Sequence, residues 1–169
     1  CVHGNASHFD ARLAAWKPHA GQVRAAAWIA EDLEYDPARP MPEPARLQDR
    51  YSIRCAPHVI GVLLDAAELT RGILEVELNS ANDNPLVDPD TGDVLHGGNF
   101  YGGHVCFALD ALKGAVASVA DLLDRQLSLL CTPEATDGLP ANLIAPEGPA
   151  RAVQSGFKAM QVAASALTA

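Results

Sequence analysis

Residues 54–80 read RCAPHVIGVLLDAAELTRGILEVELNS, the longest uninterrupted helical pattern in the chain. The apolar residues of this stretch form two seams, of which one is Ala56, Ile60, Leu63, Ala67, Thr70 and Leu74, and the other is Val59, Val62, Ala66, Leu69, Ile73 and Val76. Both seams alternate steps of four and three residues, as in helices whose side chains interlock. A helix with two apolar stripes must be covered on two sides, which predicts a place inside a bundle. Its length of about 40 Å exceeds the needs of a small domain and favours assembly with other chains.

A second long helix is predicted after residue 100. Its expected buried stripe consists of Val105, Leu109, Leu112, Val116, Val119, Leu123, Leu127 and Leu130. Shorter helical patterns cover about 6–16, the stretch from Pro18 to about Leu33, and 150–169.

Segments rich in proline, glycine or asparagine predict loops at about 35–47, 81–98 and 131–149. Within the second loop, Leu86-Val87 and Val94-Leu95 favour a small hairpin. We therefore expect an all-α fold, a bundle of long, nearly antiparallel helices with irregular loops and at most one small hairpin.

Composition excludes several classes of function. The net charge of −9 argues against binding to nucleic acid or to an anionic membrane surface. No apolar run approaches the roughly 18–20 residues of a membrane span, and the first residues lack a signal-peptide pattern. The four cysteines form no C-x-x-C pair, which favours a reducing, cytoplasmic location. The six histidines lack the spacing of a zinc site, so no metal is predicted.

The stretch before the long helix, QDRYSIRCAP at 48–57, carries the most specific chemistry. If the backbone is already helical there, Gln48, Tyr51 and Arg54 share a face about 120° wide. An amide, a phenol and a guanidinium on one face are suited to binding a carboxylate, because arginine offers a bidentate fork. A polar helix start with exposed side chains is the simpler interpretation of the spacing alone.

Further motifs follow the chain in a fixed order. They are KPHAGQ at 17–22, NSANDNP at 79–85, HGGNF at 96–100, DGLP at 137–140 and GFKAMQ at 156–161. Together with the 48–57 stretch, they resemble the aromatic amino acid ammonia-lyase family. That family includes histidine, phenylalanine and tyrosine ammonia-lyases and the related 2,3-aminomutases, and the resemblance runs along nearly the whole chain.

The resemblance implies a chemistry and a set of roles. Family members are homotetramers whose sites draw residues from several chains. They use the electrophile 4-methylideneimidazole-5-one (MIO), to which the substrate amino group adds before a tyrosine removes the β-proton and ammonia leaves.

By resemblance, Arg54 binds the substrate carboxylate, Tyr51 lies beside the electrophile and the amino group, and Gln48 supports both. Phe100 packs at the MIO ring, and Asn99 caps the following helix while holding its loop. Tyr51 and Phe100 are thus the candidate catalytic residues, and Arg54, Gln48 and Asn99 the candidate substrate-binding residues.

The chain also departs from the family pattern. MIO forms from a consecutive Ala-Ser-Gly, which does not occur here, and Gln154-Ser155-Gly156 is the nearest approach. His58 stands where many relatives carry glutamine. The helical pattern at the carboxyl end has no capping glycine. We therefore expect residues 1–169 to be the central helical core of a larger enzyme, inactive alone, with no MIO formed from this chain.

Three functions remain open. The first is elimination of ammonia from an aromatic L-amino acid (phenylalanine, tyrosine or histidine) to give the arylacrylate. The second is an MIO-dependent, tyrosine-type 2,3-aminomutase that makes a β-amino acid. The third is a non-catalytic helical oligomerisation module. The aromatic ring of the substrate cannot be read from these residues.

Overall fold

The computed structural model describes residue 2 and residues 4–39, 46–144 and 148–168. The α-helices are α1 Ala11–Trp16, α2 Ala20–Asp32, α3 Tyr51–Arg54, α4 Ala56–Leu78, α5 Gly103–Leu130 and α6 Lys158–Thr168. Single turns of 3-10 helix lie at Ala6–Phe9, Pro133–Ala135, Ala141–Leu143 and Pro149–Val153. The strands β1 Leu86–Val87 and β2 Val94–Leu95 pair in antiparallel fashion. The predicted all-α class with one small hairpin is confirmed.

Helices α4 and α5 form the antiparallel centre of the bundle. The Thr70 hydroxyl, in the second half of α4, donates to the carbonyl of Ala108, in the first half of α5, at 3.2 Å. At the other end of α5, the Gln126 amide donates to the carbonyl of Ser52, which lies just before α4, at 2.9 Å. The end of α4 therefore contacts the beginning of α5, and the beginning of α4 lies near the end of α5, so the two helices are antiparallel.

Helix α2 approaches α4 closely because glycines face each other. A Cβ on Gly61 would lie 2.5 Å from the Gln22 backbone nitrogen, and one on Gly21 would overlap the Gly61 carbonyl oxygen. The Gly21 amide donates to Asp65 Oδ1 at 2.7 Å. Since His19, the N-cap residue of α2, makes no side-chain cap, α4 supplies the acceptor that the first turn of α2 needs.

The hairpin has the predicted strands, with Leu86 opposite Leu95 and Val87 opposite Val94. Asparagine side chains anchor its base. Asn84 Oδ1 accepts from the Gly97 amide at 2.9 Å, and Asn99 Nδ2 donates to the Ala81 carbonyl at 3.3 Å. The motif around the asparagines is therefore a turn, as their tendency to bond the local backbone predicts.

Two predicted helices are interrupted. The first breaks at Asp10, whose carboxylate accepts from the Arg12 amide and starts α1. The last was expected over 150–169, but α6 begins only at Lys158. Gly156 has φ +52°, and the Phe157 amide donates to the Asn142 carbonyl at 2.9 Å, so the chain turns back to an earlier loop before α6. Parts of two predicted loops, residues 40–45 and 145–147, lie outside the described residues.

The predicted buried stripes are wrong in detail. In α5 the buried apolar positions are Ala108, Ala115, Leu122 and Leu129. These positions repeat every seven residues and lie one position before the expected Leu109, Val116, Leu123 and Leu130. The first three expected residues are exposed, and so are Val62, Leu69 and Val76 of the second seam of α4. In the first half of α5, small alanines face the neighbouring helices and allow the backbones to approach, whereas the larger Leu109 and Val116 face outwards.

Candidate active site

The sequence around the candidate site forms a bend followed by a single helical turn. Helix α3 begins only at Tyr51, because Arg50 has an extended backbone with ψ 151°. Gln48 is exposed and lies in a bend before that turn. The expected common face of Gln48, Tyr51 and Arg54 therefore does not form, since its condition, a helix already present at Gln48, is not met. Tyr51 and Arg54 remain together as i and i+3 of α3.

Arg54 is held in place by the backbone of Asp49. Its Nε donates to the Asp49 carbonyl oxygen at 3.1 Å. The Asp49 amide donates in turn to His8 Nε2 at 3.1 Å, and the buried Asp49 carboxylate accepts from the Asn5 amide. Sequence reasoning missed both His8 and Asp49 as site residues. The His8 contact spans 41 residues, and no local pattern signals it.

Tyr51 is 66% exposed and borders two clefts. The first, named the α2 cleft, has a volume of about 580 Å³ and lies between α2 and α4. Its polar lining includes Lys17, His19, His58 and Asp65. The second, named the α5 cleft, has a volume of about 500 Å³ and reaches Ser118, Asp121 and Arg125 of α5. A phenol placed between two clefts can contact a ligand in either one.

His58 in the α2 cleft feels two cations. Burial, together with the charges of Lys17 and Arg54, lowers the pKa of His58 below its usual range. The lining itself carries both signs of charge, since Lys17 and Asp65 both belong to it.

Phe100 and Asn99 lie at the opposite end of the bundle. Phe100 is 66% exposed, in a turn closed by the Tyr101 amide and the Gly98 carbonyl at 2.9 Å. Asn99 holds the loop through Ala81, as described, but it does not cap α5. The N-cap residue is Gly102, and it makes no side-chain cap. Asn99 therefore makes the expected loop contact but not the expected helix cap.

The candidate residues therefore fall into two groups. Asp121, which lines the same cleft as Tyr51, is far along α5 from the turn that carries Phe100. An α-helix rises about 1.5 Å per residue, so Gly103 and Asp121 lie about 27 Å apart along the helix axis. One copy of the chain thus brings Tyr51 and Arg54 together and leaves Phe100 and Asn99 distant from them.

Two kinds of feature are absent from the described residues. No group of three or more histidine, cysteine, aspartate or glutamate side chains is arranged to hold a metal ion there. Within the same ranges, no helix is long and apolar enough to cross a membrane.

Comparison with known proteins places the chain in a class of lyases. The model of the family described as aromatic amino acid lyase matches residues 1–169. A histidine ammonia-lyase from Paracidovorax citrulli (strain AAC00-1) is 42% identical over 171 residues, covering 99% of this chain and 32% of that protein. The chain belongs to the aromatic amino acid lyase family.

Solved structures support the same assignment. The crystal structure of histidine ammonia-lyase from Trypanosoma cruzi matches with a TM-score of 0.79 at 34% identity, over 99% of this chain and 30% of that one. Pantoea agglomerans phenylalanine aminomutase matches with a TM-score of 0.80 at 29% identity, over 99% of this chain and 35% of that one. The chain spans about a third of the length of the curated relatives it matches.

Proposed function

We propose that this chain is the central helical core of an enzyme that eliminates ammonia from an aromatic L-amino acid, with histidine the first substrate to test. The observation that carries the proposal is that helix α3 places Tyr51 at the α2 cleft and Arg54 on the same helical turn. The 42% identity to histidine ammonia-lyases supports the choice of histidine. The free thiols of Cys55, Cys106 and Cys131 support a cytoplasmic location.

Arg54 supplies the grip on the substrate carboxylate in this proposal. Its Nε is engaged by Asp49, and no described residue accepts from its terminal nitrogens. Those two nitrogens form a planar fork that matches the two oxygens of a carboxylate. Tyr51, one turn earlier, presents its hydroxyl to the amino-group side of the same ligand.

The electrophile has to come from outside these residues. MIO supplies the electron sink that loss of ammonia from an unactivated carbon requires. Its Ala-Ser-Gly precursor is absent from the sequence. The rings of Tyr51 and Phe100 are both exposed and can contact such a group. This exposure fits the proposed roles, in which Tyr51 lies beside MIO and Phe100 packs at the MIO ring.

The complete site is proposed to combine several copies of the chain. The distance between the Tyr51 and Phe100 groups supports this arrangement, because a single copy does not bring the two groups together. A homotetramer, as the family resemblance implies, would bring the Phe100 turn of one copy to the Arg54 turn of another.

Replacing Arg54 in the complete enzyme tests the proposal. Arg54→Ala removes a charge-assisted hydrogen bond pair of about 1.5–3 kcal/mol, so kcat/KM should fall about 10- to 150-fold. Arg71→Ala is the matched control, because among the described residues Arg71 pairs with Glu68 and Glu75 on the exposed surface of α4, and its loss should leave turnover unchanged. Equal turnover in both variants would support the non-catalytic oligomerisation module instead.

An aminomutase is the second candidate, favoured by the match to phenylalanine aminomutase. Both reactions share the carboxylate grip and the elimination step. They differ in whether ammonia adds back at the β-carbon. Product analysis of the complete enzyme separates them, since a lyase yields only the arylacrylate and an aminomutase yields a β-amino acid as well.

A further inference from the structure

The Asp49 residue connects the amino-terminal turn of the chain to Arg54. Each of its polar backbone groups has one partner: the amide donates to His8 Nε2 and the carbonyl accepts from Arg54 Nε, both at 3.1 Å. Its carboxylate accepts from the Asn5 amide. The amide belongs to the Gln48–Asp49 peptide and the carbonyl to the Asp49–Arg50 peptide, so the segment Asn5–His8 holds Asp49 by its amide and carboxylate while Arg54 contacts its carbonyl.

His8 is suited to a fixed acceptor role. Its side chain is only 17% exposed, and its Nε2 faces the Asp49 amide with the Asp49 carboxylate 3.7 Å away. Accepting at Nε2 requires the neutral imidazole with its proton on Nδ1. The observed hydrogen bond from the Asp49 amide therefore requires one tautomer and one ring orientation of His8.

We propose that His8 is a positioning residue for Arg54 and acts through the backbone of Asp49. With its amide held by His8 and its carboxylate held by Asn5, Asp49 has little freedom to rotate, so its carbonyl keeps its direction towards Arg54 Nε. With Nε occupied, only the end-on pair Nη1 and Nη2 remains for a carboxylate, and its direction follows that of the Asp49 carbonyl. The inference rests on the proposed carboxylate-binding function of Arg54.

The contact itself can be tested in the 169-residue chain by nuclear magnetic resonance. We expect a nitrogen–nitrogen coupling across the hydrogen bond between the Asp49 amide and His8 Nε2. In His8→Leu, the Arg54 Nε–H should exchange with water about five- to tenfold faster, as loss of a supporting hydrogen bond predicts. In His8→Gln, whose side-chain oxygen can still accept, exchange should return to within about twofold of the unmodified chain.

His104→Leu is the matched control, since His104 is exposed on α5 and should leave the Arg54 exchange rate unchanged. The proposal is overturned if the coupling is missing, if folded His8→Leu exchanges at the original rate, or if His8→Gln gives no rescue. The coupling is measured on the unmodified chain, so this arm gives an answer even if His8→Leu does not fold.

The complete enzyme separates this inference from the proposed function. His8→Leu should raise KM about fivefold and change kcat less than about twofold, because carboxylate binding is lost equally from ground and transition states. His8→Gln should restore KM. An unchanged KM in His8→Leu, beside a raised KM in Arg54→Ala, defeats the positioning role alone. An unchanged KM in Arg54→Ala defeats the proposed carboxylate grip and the inference with it.

Discussion

His58 follows Arg54 by four residues and lines the α2 cleft. Its lowered pKa means that the unfolded chain takes up the proton first as the pH falls below the ordinary histidine value of 6.5. The free energy of unfolding should therefore decrease on acidification from about pH 7.5 to about pH 5.5. His58→Gln should remove this part of the loss, and urea unfolding of both chains at the two pH values measures it.

The comparison between the two chains isolates His58 from the other titrating groups. Asp10 loses stabilisation only in stronger acid, as the pH approaches the ordinary value of 3.8, because hydrogen bonds from Arg12 and Tyr35 hold its pKa well below the usual range. That loss is common to both chains and cancels in the difference. An identical pH dependence for His58→Gln and the unmodified chain would contradict the prediction.

At the residue scale, the sequence located Arg54 and Tyr51 on one helical turn but misjudged Gln48. Helix α3 begins only after the extended Arg50, and the neighbouring Asp49 amide donates to His8, in a distant part of the chain. Local sequence propensities cannot predict a contact between residues that lie 41 positions apart. The roles of these side chains toward a substrate stay predictions.

At the scale of elements, α2 and α4 pack closely against each other through Gly21 and Gly61. A methyl group on Gly61 would lie against the Gln22 backbone, which cannot rotate away. Gly61→Ala should therefore lower the free energy of unfolding by about 1–3 kcal/mol or more. Gly72→Ala, on the same helix, meets nothing within 4 Å and should raise it by about 0.5–1 kcal/mol. Denaturant unfolding of the two variants checks the signs, and a stabilised Gly61→Ala would refute the close helix contact.

The elements show where periodicity succeeds and where it fails. The hairpin and the two long helices follow from local patterns, since alternation, prolines and caps act within a few residues. The breaks at Asp10 and Gly156 escaped prediction because each depends on a particular hydrogen bond. On α5, the expected Val105, Leu112, Val119 and Leu127 are half-buried, but Leu109, Val116 and Leu123 were predicted one position too late. Apolar periodicity favours large side chains, whereas the first half of α5 packs through Ala108 and Ala115.

At the scale of the whole molecule, two apolar stripes face outwards. On α4 the stripe is Val62, Leu69 and Val76, and on α5 it is Leu109, Val116 and Leu123. Exposed apolar surface of this regularity should drive self-association. Light scattering should give a mass above 17.8 kDa that rises with concentration. Leu69→Asn with Val116→Asn should lower it, whereas Lys113→Asn, on an exposed face of α5, should not. A monomer at all concentrations would rule this out.

The chain by itself should not release ammonia. Arg54, Tyr51 and Phe100 offer parts of a pocket, but an amine leaving group needs an electron sink that ordinary side chains do not supply. Incubation with histidine, phenylalanine and tyrosine should give no ammonia above a heat-killed control. Sustained turnover would contradict the view of the chain as an incomplete lyase core.

The separation of about 27 Å along α5 has a genetic consequence under the proposed assembly. If one copy supplies the Arg54 turn and another the Phe100 turn, a lesion in either turn damages only one half of each shared site. Two defective alleles, one altered at Arg54 and the other at Phe100, could then complement each other in a heterozygous cell. Mixed assemblies would contain some sites built only from the two undamaged halves.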